Sequence, residues 1–418
     1  MNAQYRSIKA GILVAALLFS LSRMGRAQFT FTTNNGAITI THYSGSSDTA
    51  IIPGTTNGYP VSIVGTNAFA SQISVTNVTI PDSVTNIEYQ AFAACTGLTT
   101  VRMGTNIAYI GDWAFYTCFV LTNFTMPASV SSIGNFAFDE CRSLPSVNIP
   151  SGATNIGGSA FAFCSSMNAI TVDPLNPVYS SVDGVLFDER QTTLIQCPGG
   201  KAGSYAIPDG VTNISGAPFA GCSSLVGVIV PNSISSIGIA MFEYCFNLTN
   251  VMIPDSVTSI GSYAFYECRS LTDVTIPNSV TSIGDEAFSE CFSLSALYFL
   301  GNSPTVGNII FDGDNAGIVY YLPRTQGWEN NGQFWPWLTE LWIPQLQTNG
   351  GDFGVQSNGF GFNINWASGQ TVVVEACTNL ANTSWLPVQT NMLSGGSFYF
   401  SDPQWTNYPA RFYRLRSP

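Results

Sequence analysis

Carboxylate side chains recur beside one position of a repeated unit, and they are the first candidates for chemistry in this sequence. The six concerned are Asp139, Glu140, Glu243, Glu267, Asp285 and Glu290. Paired carboxylates can hydrolyse glycosidic bonds, but the general acid of such a pair needs a pocket that raises its pKa. An exposed edge offers water instead. We therefore predict a solvated acidic ridge, with calcium or another cation as the alternative interpretation.

Other catalytic and cofactor patterns are incomplete. His42 is the one histidine and falls in a predicted hairpin, so Ser-His-acid and Cys-His mechanisms both lack a base elsewhere. Gly199-Gly200-Lys201 lacks the rest of a phosphate loop. Asp312-Gly313-Asp314-Asn315 lacks the further ligands of a calcium loop, and zinc lacks histidine partners. We predict that the chain is not an enzyme and has no catalytic residue, cofactor or metal.

The elements that must position these side chains follow a period of 23 residues. Phenylalanine marks the period, and one interruption of it lies between residues 161 and 219: Phe69, Phe92, Phe115, Phe138, Phe161, Phe219, Phe242, Phe265, Phe288 and Phe311. A fixed period of this length predicts a solenoid, in which each repeat, called a rung below, buries its apolar side chains against its neighbours.

The apolar spacing within one repeat predicts its local structure. Val274 and Ile276 are two residues apart, as on a strand, whereas Phe265 and Cys268 are three apart, as in helical turns. Gly261 marks a corner where a side chain would clash or where φ must be positive. A proline ends the hydrogen-bonded strand in most repeats. Each rung is thus predicted to be a strand, a bend and a short turn.

Eight cysteines follow the repeat phenylalanines by three residues: Cys95, Cys118, Cys141, Cys164, Cys222, Cys245, Cys268 and Cys291. Equivalent positions on neighbouring rungs lie about 4.8 Å apart, which is compatible with disulfides. The position is nevertheless that of a core residue, and a buried free cysteine behaves as a small hydrophobe. We predict packing, with disulfides in an oxidising compartment as the alternative. Cys197 and Cys377 lie outside this series and are predicted to be unpaired.

Composition and the N-terminus predict export. Only 9% of residues are charged and the net charge is −12, which opposes binding to nucleic acid. Arg6 and Lys9 precede the apolar run Ala10–Leu21, and Gly25-Arg26-Ala27 has the small residues of a cleavage site. We predict a signal peptide over 1–27. An uncleaved anchor is the alternative, but the run is shorter than the roughly 20 residues of a spanning helix. The mature chain is predicted to lack a membrane-spanning segment and to be extracellular or at the cell surface.

The repeat resembles the bacterial BspA-like leucine-rich repeats, whose unit reads close to L-T-x-V-x-I-P-x-S-V-T-x-I-G-x-x-A-F-x-x-C. The resemblance covers roughly residues 60 to 323. It implies an exported or surface-displayed protein that acts through binding and adhesion. The predicted fold class is a leucine-rich-repeat solenoid, a strand-dominated α/β fold, with an N-terminal β-hairpin cap and a small all-β C-terminal domain.

The segments outside the regular repeats predict the remaining domain organisation. Asn35-Gly36 lies between two alternating runs, which predicts a hairpin and an N-terminal β cap over 28–60. The solenoid is predicted over 61–343. It includes an irregular rung or insertion at 173–207, in which Asp183-Gly184 predicts a hairpin and Phe187 is the core residue. The family often has a similar DGVLF insertion, so the segment is either a decorated rung or a functional one.

Aromatic residues crowd together just after the last rung: Trp328, Phe334, Trp335, Trp337, Leu338 and Trp342. They predict a C-terminal cap over 324–343, with an aromatic ligand platform as the alternative. A polar, Gly-rich linker is predicted at 344–352, followed by a β-sandwich-like module over 353–418. The FYRLR ending of this module resembles C-terminal modules of exported bacterial proteins, which implies sorting or surface attachment.

The variable strand residues that point outward between inward Val and Ile form the candidate binding face. In chain order they are Thr79, Arg102, Thr125, Asn148, Thr171, Ile229, Met252, Thr275, Tyr298 and Tyr321. The later members include Ile, Met and two Tyr, an amphipathic composition typical of surfaces for proteins or sugars. The alternative is that β-propensity alone selects Thr and Tyr here. The candidate partner-binding residues are Arg102, Ile229, Met252, Thr275, Tyr298 and Tyr321.

These observations predict an exported, non-enzymatic recognition or adhesion protein, which binds a partner through the solenoid face. The partner is expected to be a protein or glycan on a cell surface or matrix. The alternatives are a carbohydrate-binding or carbohydrate-degrading accessory protein, indicated by the aromatic cluster and the acidic ridge, and a structural envelope component.

Overall fold

The structure is a computed structural model that describes residues 28–313, 317–328, 334, 336–349, 351–357, 359–380 and 384–418. The predicted signal peptide, Trp335, Asp314 and Asn315 lie outside these residues. The chain divides into two compact units. The first comprises the chain up to residue 203 with 210–225 and 241–246, and the second comprises 204–209, 226–240 and 247–418. Within the described ranges, no helix has the length and apolar character needed to cross a membrane.

The described residues form short strands joined by turns. Those up to residue 214 are β1 Phe29–Asn34, β2 Ala37–Tyr43, β3 Thr49–Ile51, β4 Thr55–Thr56, β5 Tyr59–Val64, β6 Asn77–Thr79, β7 Asn86–Ile87, β8 Thr100–Arg102, β9 Tyr109–Ile110, β10 Asn123–Phe124, β11 Ser132–Ile133, β12 Ser146–Ile149, β13 Asn155–Ile156, β14 Ala169–Val172, β15 Tyr179–Val182, β16 Val185–Asp188, β17 Thr193–Gln196, β18 Gly203–Ala206 and β19 Asn213–Ile214.

The later strands are β20 Leu225–Ile229, β21 Ser236–Ile237, β22 Asn250–Met252, β23 Ser259–Ile260, β24 Asp273–Ile276, β25 Ser282–Ile283, β26 Ala296–Phe299, β27 Thr305–Val306, β28 Ile318–Tyr321, β29 Leu338–Leu341, β30 Gln345–Gln347, β31 Gly354–Gln356, β32 Gly359–Asn365, β33 Thr371–Cys377, β34 Leu386–Met392, β35 Ser397–Asp402 and β36 Phe412–Arg416. A 3-10 helix spans Trp405–Asn407.

The rungs contribute strands to two parallel ladders. In the first unit one ladder runs β10-β8-β6-β3 and the other runs through β5, β7, β9, β11 and β13. In the second unit the ladders are β24-β26-β28-β29 and β21-β23-β25-β27. Neighbouring rungs pair residues one period apart, as Ser259 pairs with Ser282. This confirms the predicted strand-dominated leucine-rich-repeat solenoid.

The turns of each rung contain no regular helix in the described residues, although their apolar spacing is helical. In most rungs two residues adopt left-handed backbone conformations, at positions two before and two after the repeat phenylalanine, such as Gln90 (φ 52°) and Ala94 (φ 57°). The backbone N–H groups of Gln90, Phe92 and Ala94 all donate to carbonyls of the next rung, at 2.8–3.0 Å. Because left-handed and right-handed residues alternate in the turn, every second backbone N–H points to the next rung. The turns of neighbouring rungs are therefore hydrogen-bonded to each other, as the strands are.

The corner glycines are required by close approach between rungs. A Cβ on Gly284 would lie 2.4 Å from the backbone nitrogen of Ser262, and a Cβ on Gly261 would lie 2.7 Å from that of Ile239. Neither glycine has a positive φ. Glycine is therefore required at these corners because a side chain would clash with the preceding rung, and not because φ is positive.

A column of stacked aromatic rings fills the interior. In the first unit the centroids of Phe69, Phe92, Phe115 and Phe138 are 4.8–5.1 Å apart along the column. Tyr43 stacks on Phe69 at 4.9 Å. In the second unit the column runs through Phe265, Phe288 and Phe311 and ends on Trp337, whose ring lies 4.2 Å from that of Phe311.

The ladder cysteines lie beside this column as free, buried thiols. The Cys95 Sγ donates to the carbonyl oxygen of Phe69 on the preceding rung at 3.0 Å, and the Cys291 Sγ donates in the same way to Phe265. Burial raises the pKa of Cys95 to about 12. The predicted packing role is confirmed. Each thiol also satisfies a carbonyl that the rung leaves in the core.

Two hairpins form where the turn residues predict them. β1 and β2 pair antiparallel around Asn35-Gly36, and Phe29 lies against Tyr43 at the start of the aromatic column. β15 and β16 pair around Asp183-Gly184, where φ is 51° and 79°. Beyond it β16 pairs with β17, and Phe187 is fully buried. Left-handed conformations at both turn residues suit the twist of the flanking strands.

The C-terminal residues form two antiparallel sheets, β30-β32-β31 with β35, and β34-β33-β36. Their shared core contains Phe362, Val374 and Phe400 and also includes Leu322, and Trp366 Nε1 donates to the Trp342 carbonyl at 2.9 Å. The prediction of a linker at 344–352 is wrong at its start, because Gln345–Gln347 forms strand β30. Its polar composition suits an edge strand as well as a linker.

The FYRLR ending has a structural role in this module. Tyr413 and Leu415 pack against the core. Arg414 and Arg416 on the other side of β36 form ion pairs with the buried carboxylate of Glu375 on β33, at 2.7 and 2.9 Å. The alternation of the motif follows from the strand, in which successive side chains face opposite sides.

Ala94→Gly should stabilise the first unit by about 0.5–1 kcal/mol, because a left-handed conformation is costly for alanine and not for glycine. Thermal unfolding followed by circular dichroism measures this as a higher Tm. Ala93→Gly is the matched control, since Ala93 is buried and has no positive φ, and it should lower the Tm. Equal effects of the two changes would contradict the role given to the left-handed position.

Candidate functional site

The variable outward residues of the strands, called the strand-face row, divide between the two units. In the first unit Thr79 pairs in register with Arg102, and Asn148 with Thr171. Arg102 is exposed. The Thr171 hydroxyl donates to Asn148 Oδ1 at 2.9 Å. Part of this half of the row therefore satisfies its own polar groups along the ladder.

In the second unit the row is apolar and aromatic except at Thr275. Ile229 pairs with Met252, and these side chains are 47% and 59% exposed. The exposed Thr275 pairs with Tyr298, and Tyr298 pairs with Tyr320. Large apolar side chains held at fixed spacing on a rigid ladder form a surface that a partner can cover.

The structure corrects the last member of the predicted row. Tyr320 lies opposite Tyr298, whereas Tyr321 lies opposite the buried Phe299 and stacks on Trp328 at 4.9 Å. The last rung is one residue shorter than the period, so counting in steps of 23 selected the neighbouring tyrosine. Because adjacent strand residues face opposite sides, Tyr320 faces outward with Tyr298, whereas the predicted Tyr321 faces inward.

Tyr298, Tyr320 and Trp342 form an aromatic group at the end of the row. The rings of Tyr298 and Tyr320 stack at 5.1 Å with an interplanar angle of 10°, and Trp342 lies 4.5 Å from Tyr298. Burial is the main cause that raises the pKa of Tyr298. The group is half-buried, which fixes the rings while leaving part of each in contact with water. Tyr320 was not predicted as part of the row because it follows Tyr298 by 22 residues, one fewer than the period.

The other aromatic residues of the predicted C-terminal cap are mostly internal. Trp337 and Trp328 are 2% and 5% exposed, and Phe334 is fully buried. Trp337 covers the last phenylalanine of the column. These contacts support the cap interpretation for the three residues over a ligand platform, because no ligand can reach their faces.

The carboxylates of the predicted acidic ridge have several different environments. Glu140 and Glu267 form ion pairs with Arg142 and Arg269, and Asp285 accepts a hydrogen bond from the backbone N–H of Asn308 at 2.6 Å. Glu290 carries one of the left-handed conformations. Among the described residues, no group of three or more His, Cys, Asp or Glu side chains is arranged to bind a metal ion. His42 is exposed on β2.

Asp139 contradicts the prediction of a fully solvated ridge. It is 6% exposed, and its Oδ1 has no hydrogen-bond partner. Burial, followed by the charge of Glu140, raises the pKa of Asp139 to about 7, and burial also raises the pKa of Glu243. Equivalent positions on the intervening regular rungs carry Ala162 and Ala220. This burial was not predictable from the sequence, because an acidic residue beside exposed neighbours suggests an exposed edge.

A cleft, called the turn cleft, opens on the turns of the first unit. Its volume is about 410 Å³, and its lining residues are Glu140, Arg142, Phe163, Ser165, Gly221, Ser223, Tyr244 and Phe246. The rings of Phe163 and Tyr244 meet edge to face at 5.5 Å, and Phe246 meets Tyr244 at 5.8 Å. Gly221 forms part of the floor, since a Cβ there would lie 2.7 Å from the Phe163 Cα.

The turn cleft results from small residues on successive regular rungs. Four residues after the repeat phenylalanine, five rungs carry a large side chain, Phe119, Arg142, Phe246, Arg269 or Phe292, whereas the two rungs at the cleft carry Ser165 and Ser223. Gly221 likewise replaces the larger residues found at its position, such as Tyr244. This departure from the repeat was the signal available in the sequence, but it becomes a cleft only when the turns are stacked.

Comparison with known families identifies the repeats. Residues 62–182 and 200–316, more than half of the chain, match the family described as BspA type leucine rich repeat region, with six copies. The chain belongs to the BspA-type leucine-rich repeat family. The match leaves a gap at residues 183–199, inside the predicted insertion. A search of curated proteins gave no match.

Several solved structures resemble this member of the family. The pneumococcal vaccine antigen PcpA shares 20% identity, with a TM-score of 0.59, and the alignment covers 73% of this chain and 88% of the antigen. A leucine-rich cell surface protein from Faecalibacterium prausnitzii shares 26% identity over 69% of this chain and 94% of its own, with a TM-score of 0.46. A leucine-rich repeat protein from Eubacterium ventriosum shares 21% identity over 76% and 83%, with a TM-score of 0.49.

Asp139→Asn should remove a pH dependence of stability. The folded pKa of about 7 is higher than the ordinary value of 3.8, so the stabilisation from the protonated Asp139 is present below pH 3.8 and lost as the pH rises to 7. At pH 8 the variant should be more stable than the natural chain by about 2–4 kcal/mol, and at pH 4 the two should be similar.

The measurement is the unfolding free energy or Tm of both chains at a series of pH values from 4 to 8. Glu140 and Glu243 interact with Asp139, and Cys141 and Cys164 feel its charge. Glu267→Gln serves as the matched control for general removal of negative charge, because Glu267 occupies the repeat position of Glu140 on another rung and has the equivalent ion pair with an arginine. A natural chain whose stability is unchanged across this range would contradict the burial of an ionisable Asp139.

Proposed function

We propose that this protein is an exported, non-enzymatic recognition or adhesion protein that binds a protein partner on a cell surface or matrix. The binding surface is the second-unit part of the strand-face row, with Ile229, Met252, Thr275, Tyr298 and Tyr320. The observation that carries the proposal is that the exposed Ile229 and Met252 pair in register on two strands of this unit, and the half-buried Tyr298 and Tyr320 pair in register on two others.

The composition of this surface supports a protein partner. Tyrosine, tryptophan and methionine are enriched in protein interfaces, where large side chains contribute most of the binding energy. Tyr298 stacks on Tyr320 and packs against Trp342, so ordering these rings on binding costs little side-chain entropy. Arg102 belongs to the polar part of the row in the first unit and is proposed as a secondary contact.

Membership of the family supports a role in molecular interaction. Repeat proteins present extended surfaces of stacked strands, on which side chains change without altering the core. One of the similar structures is described as a cell surface protein. In this chain, the Phe, Gly and Cys positions serve the stack, which leaves the strand-face row available for recognition. The carbohydrate-linked and envelope-component alternatives predict respectively glycan binding and self-association by this row.

Tyr298→Ser combined with Tyr320→Ser should weaken partner binding at least tenfold, since loss of interface aromatic residues typically costs about 2 kcal/mol or more. The mature chain is immobilised, surface and matrix proteins are captured by cross-linking, and the recovered protein is titrated against each variant. Thr125→Ala with Asn148→Ala, in the first-unit part of the row, is the matched control and should bind normally. Undiminished binding by the tyrosine variant would refute the assignment of this surface.

The proposal of export rests on the N-terminal segment, in which Arg6 and Lys9 precede the apolar run Ala10–Leu21. Expression of the whole chain in a bacterial host should release a mature protein that begins at Gln28, because signal peptidase cleaves after a small residue such as Ala27. N-terminal sequencing of the exported fraction identifies the first residue. A chain that keeps Met1 in the cytoplasm would contradict export by this segment.

A further inference from the structure

We propose that the turn cleft of the first unit binds a sugar ring of an uncharged glycan. The cleft belongs to the turns, whereas the strand-face row belongs to the strands, and the two surfaces carry different residues. The inference therefore goes beyond the proposed recognition function and holds or fails independently of it.

The shape of the turn cleft suits a small ring. Its volume of about 410 Å³ lies within the roughly 300–1,000 Å³ typical of small-molecule sites. Phe163, Tyr244 and Phe246 supply aromatic surface, and their edge-to-face contacts at 5.5 and 5.8 Å fix the rings relative to one another. The C–H faces of a sugar ring are apolar and can cover aromatic surface of this kind.

The polar residues of the cleft favour an uncharged ligand with many hydroxyl groups. Arg142 is paired with Glu140, and its guanidinium also lies 4.7 Å from the centre of the Phe119 ring. The lining charges therefore balance each other, and neither an anion nor a cation meets an excess of opposite charge. The guanidinium keeps several N–H donors and the carboxylate keeps acceptor capacity, so together they can bind the hydroxyl groups of a sugar.

The chain is built to keep this space open at the backbone level. Gly221 adopts a left-handed conformation, with φ of 74°, and lies directly against Phe163. The Gly221 N–H donates to the Glu243 carbonyl oxygen at 2.8 Å, and the Ser223 N–H donates to Gly221. The turn is thus fully folded although its side chains are small. The opening therefore follows from the backbone of the turn and from its small side chains.

The test uses ligand-observed saturation-transfer NMR on the mature full-length chain. The probes are the methyl glycosides of glucose, galactose, mannose and N-acetylglucosamine, each titrated to determine its Kd. At least one should give a saturable signal. Ser223→Phe should abolish that signal or raise its Kd at least tenfold, because other rungs place phenylalanine at this position and the ring would fill the cleft.

Thr96→Phe is the matched control, because Thr96 occupies the same repeat position on a rung that does not line the cleft. It should leave glycoside binding unchanged and, by its Tm, show that the fold accepts phenylalanine there. Tyr244→Ala should weaken the same signal without filling the cleft. Tyr298→Ser with Tyr320→Ser should leave it intact, which separates this site from the strand-face row. Absence of a saturable signal from all four glycosides, or a signal that survives Ser223→Phe, would overturn the proposal.

Discussion

The contact between one rung and the next is the interaction on which the rest of this structure depends. A rung of about two dozen residues cannot bury its own apolar face, so the phenylalanine of each rung stacks on that of its neighbour, at 5.1 Å between Phe92 and Phe115. Beside each such contact, a cysteine thiol reaches the carbonyl oxygen of the previous phenylalanine. The hydrogen-bonded turns and the corner glycines follow from the same requirement that rungs approach closely. Side chains outside this contact are the ones free to vary, and both proposed binding surfaces consist of them.

Much of the fold could be predicted because its causes are local and repeated. The period placed Phe69 and its equivalents in the core, and Asn35-Gly36 and Asp183-Gly184 each placed a hairpin. Features that depend on departures from the period could not be predicted in the same way. Because the last rung is one residue short, the period predicted Tyr321 on the outer face where the structure has Tyr320. The left-handed positions of the turns are occupied mostly by residues other than glycine, and such residues do not indicate that conformation in a sequence.

The two proposed surfaces arise from opposite kinds of substitution on the same scaffold. In the second unit, large side chains such as Met252 and Tyr298 project from strands and create a raised apolar surface. In the first unit, Gly221 and Ser223 remove volume from the turns and create a recess. A raised surface suits a broad partner, whereas a recess suits a small ligand. Both kinds of substitution should change the free energy of folding little, because neither alters the aromatic column.

The cysteine series places one buried thiol on each of several rungs, and the accessibility of that thiol depends on whether the rung is closed. Each thiol of the series is buried, and that of Cys141 contacts the Phe115 carbonyl of the preceding rung, so a small electrophile can reach it only when the contact between rungs opens. The rate at which each cysteine is alkylated would then report the local opening of its own rung, as amide exchange does for a backbone N–H. Cys95, Cys118, Cys141 and Cys164 lie on successive rungs, so their separate alkylation rates would report the opening of each of these rungs in turn. Fraying from an end and opening at the centre would leave different orders of labelling along the chain.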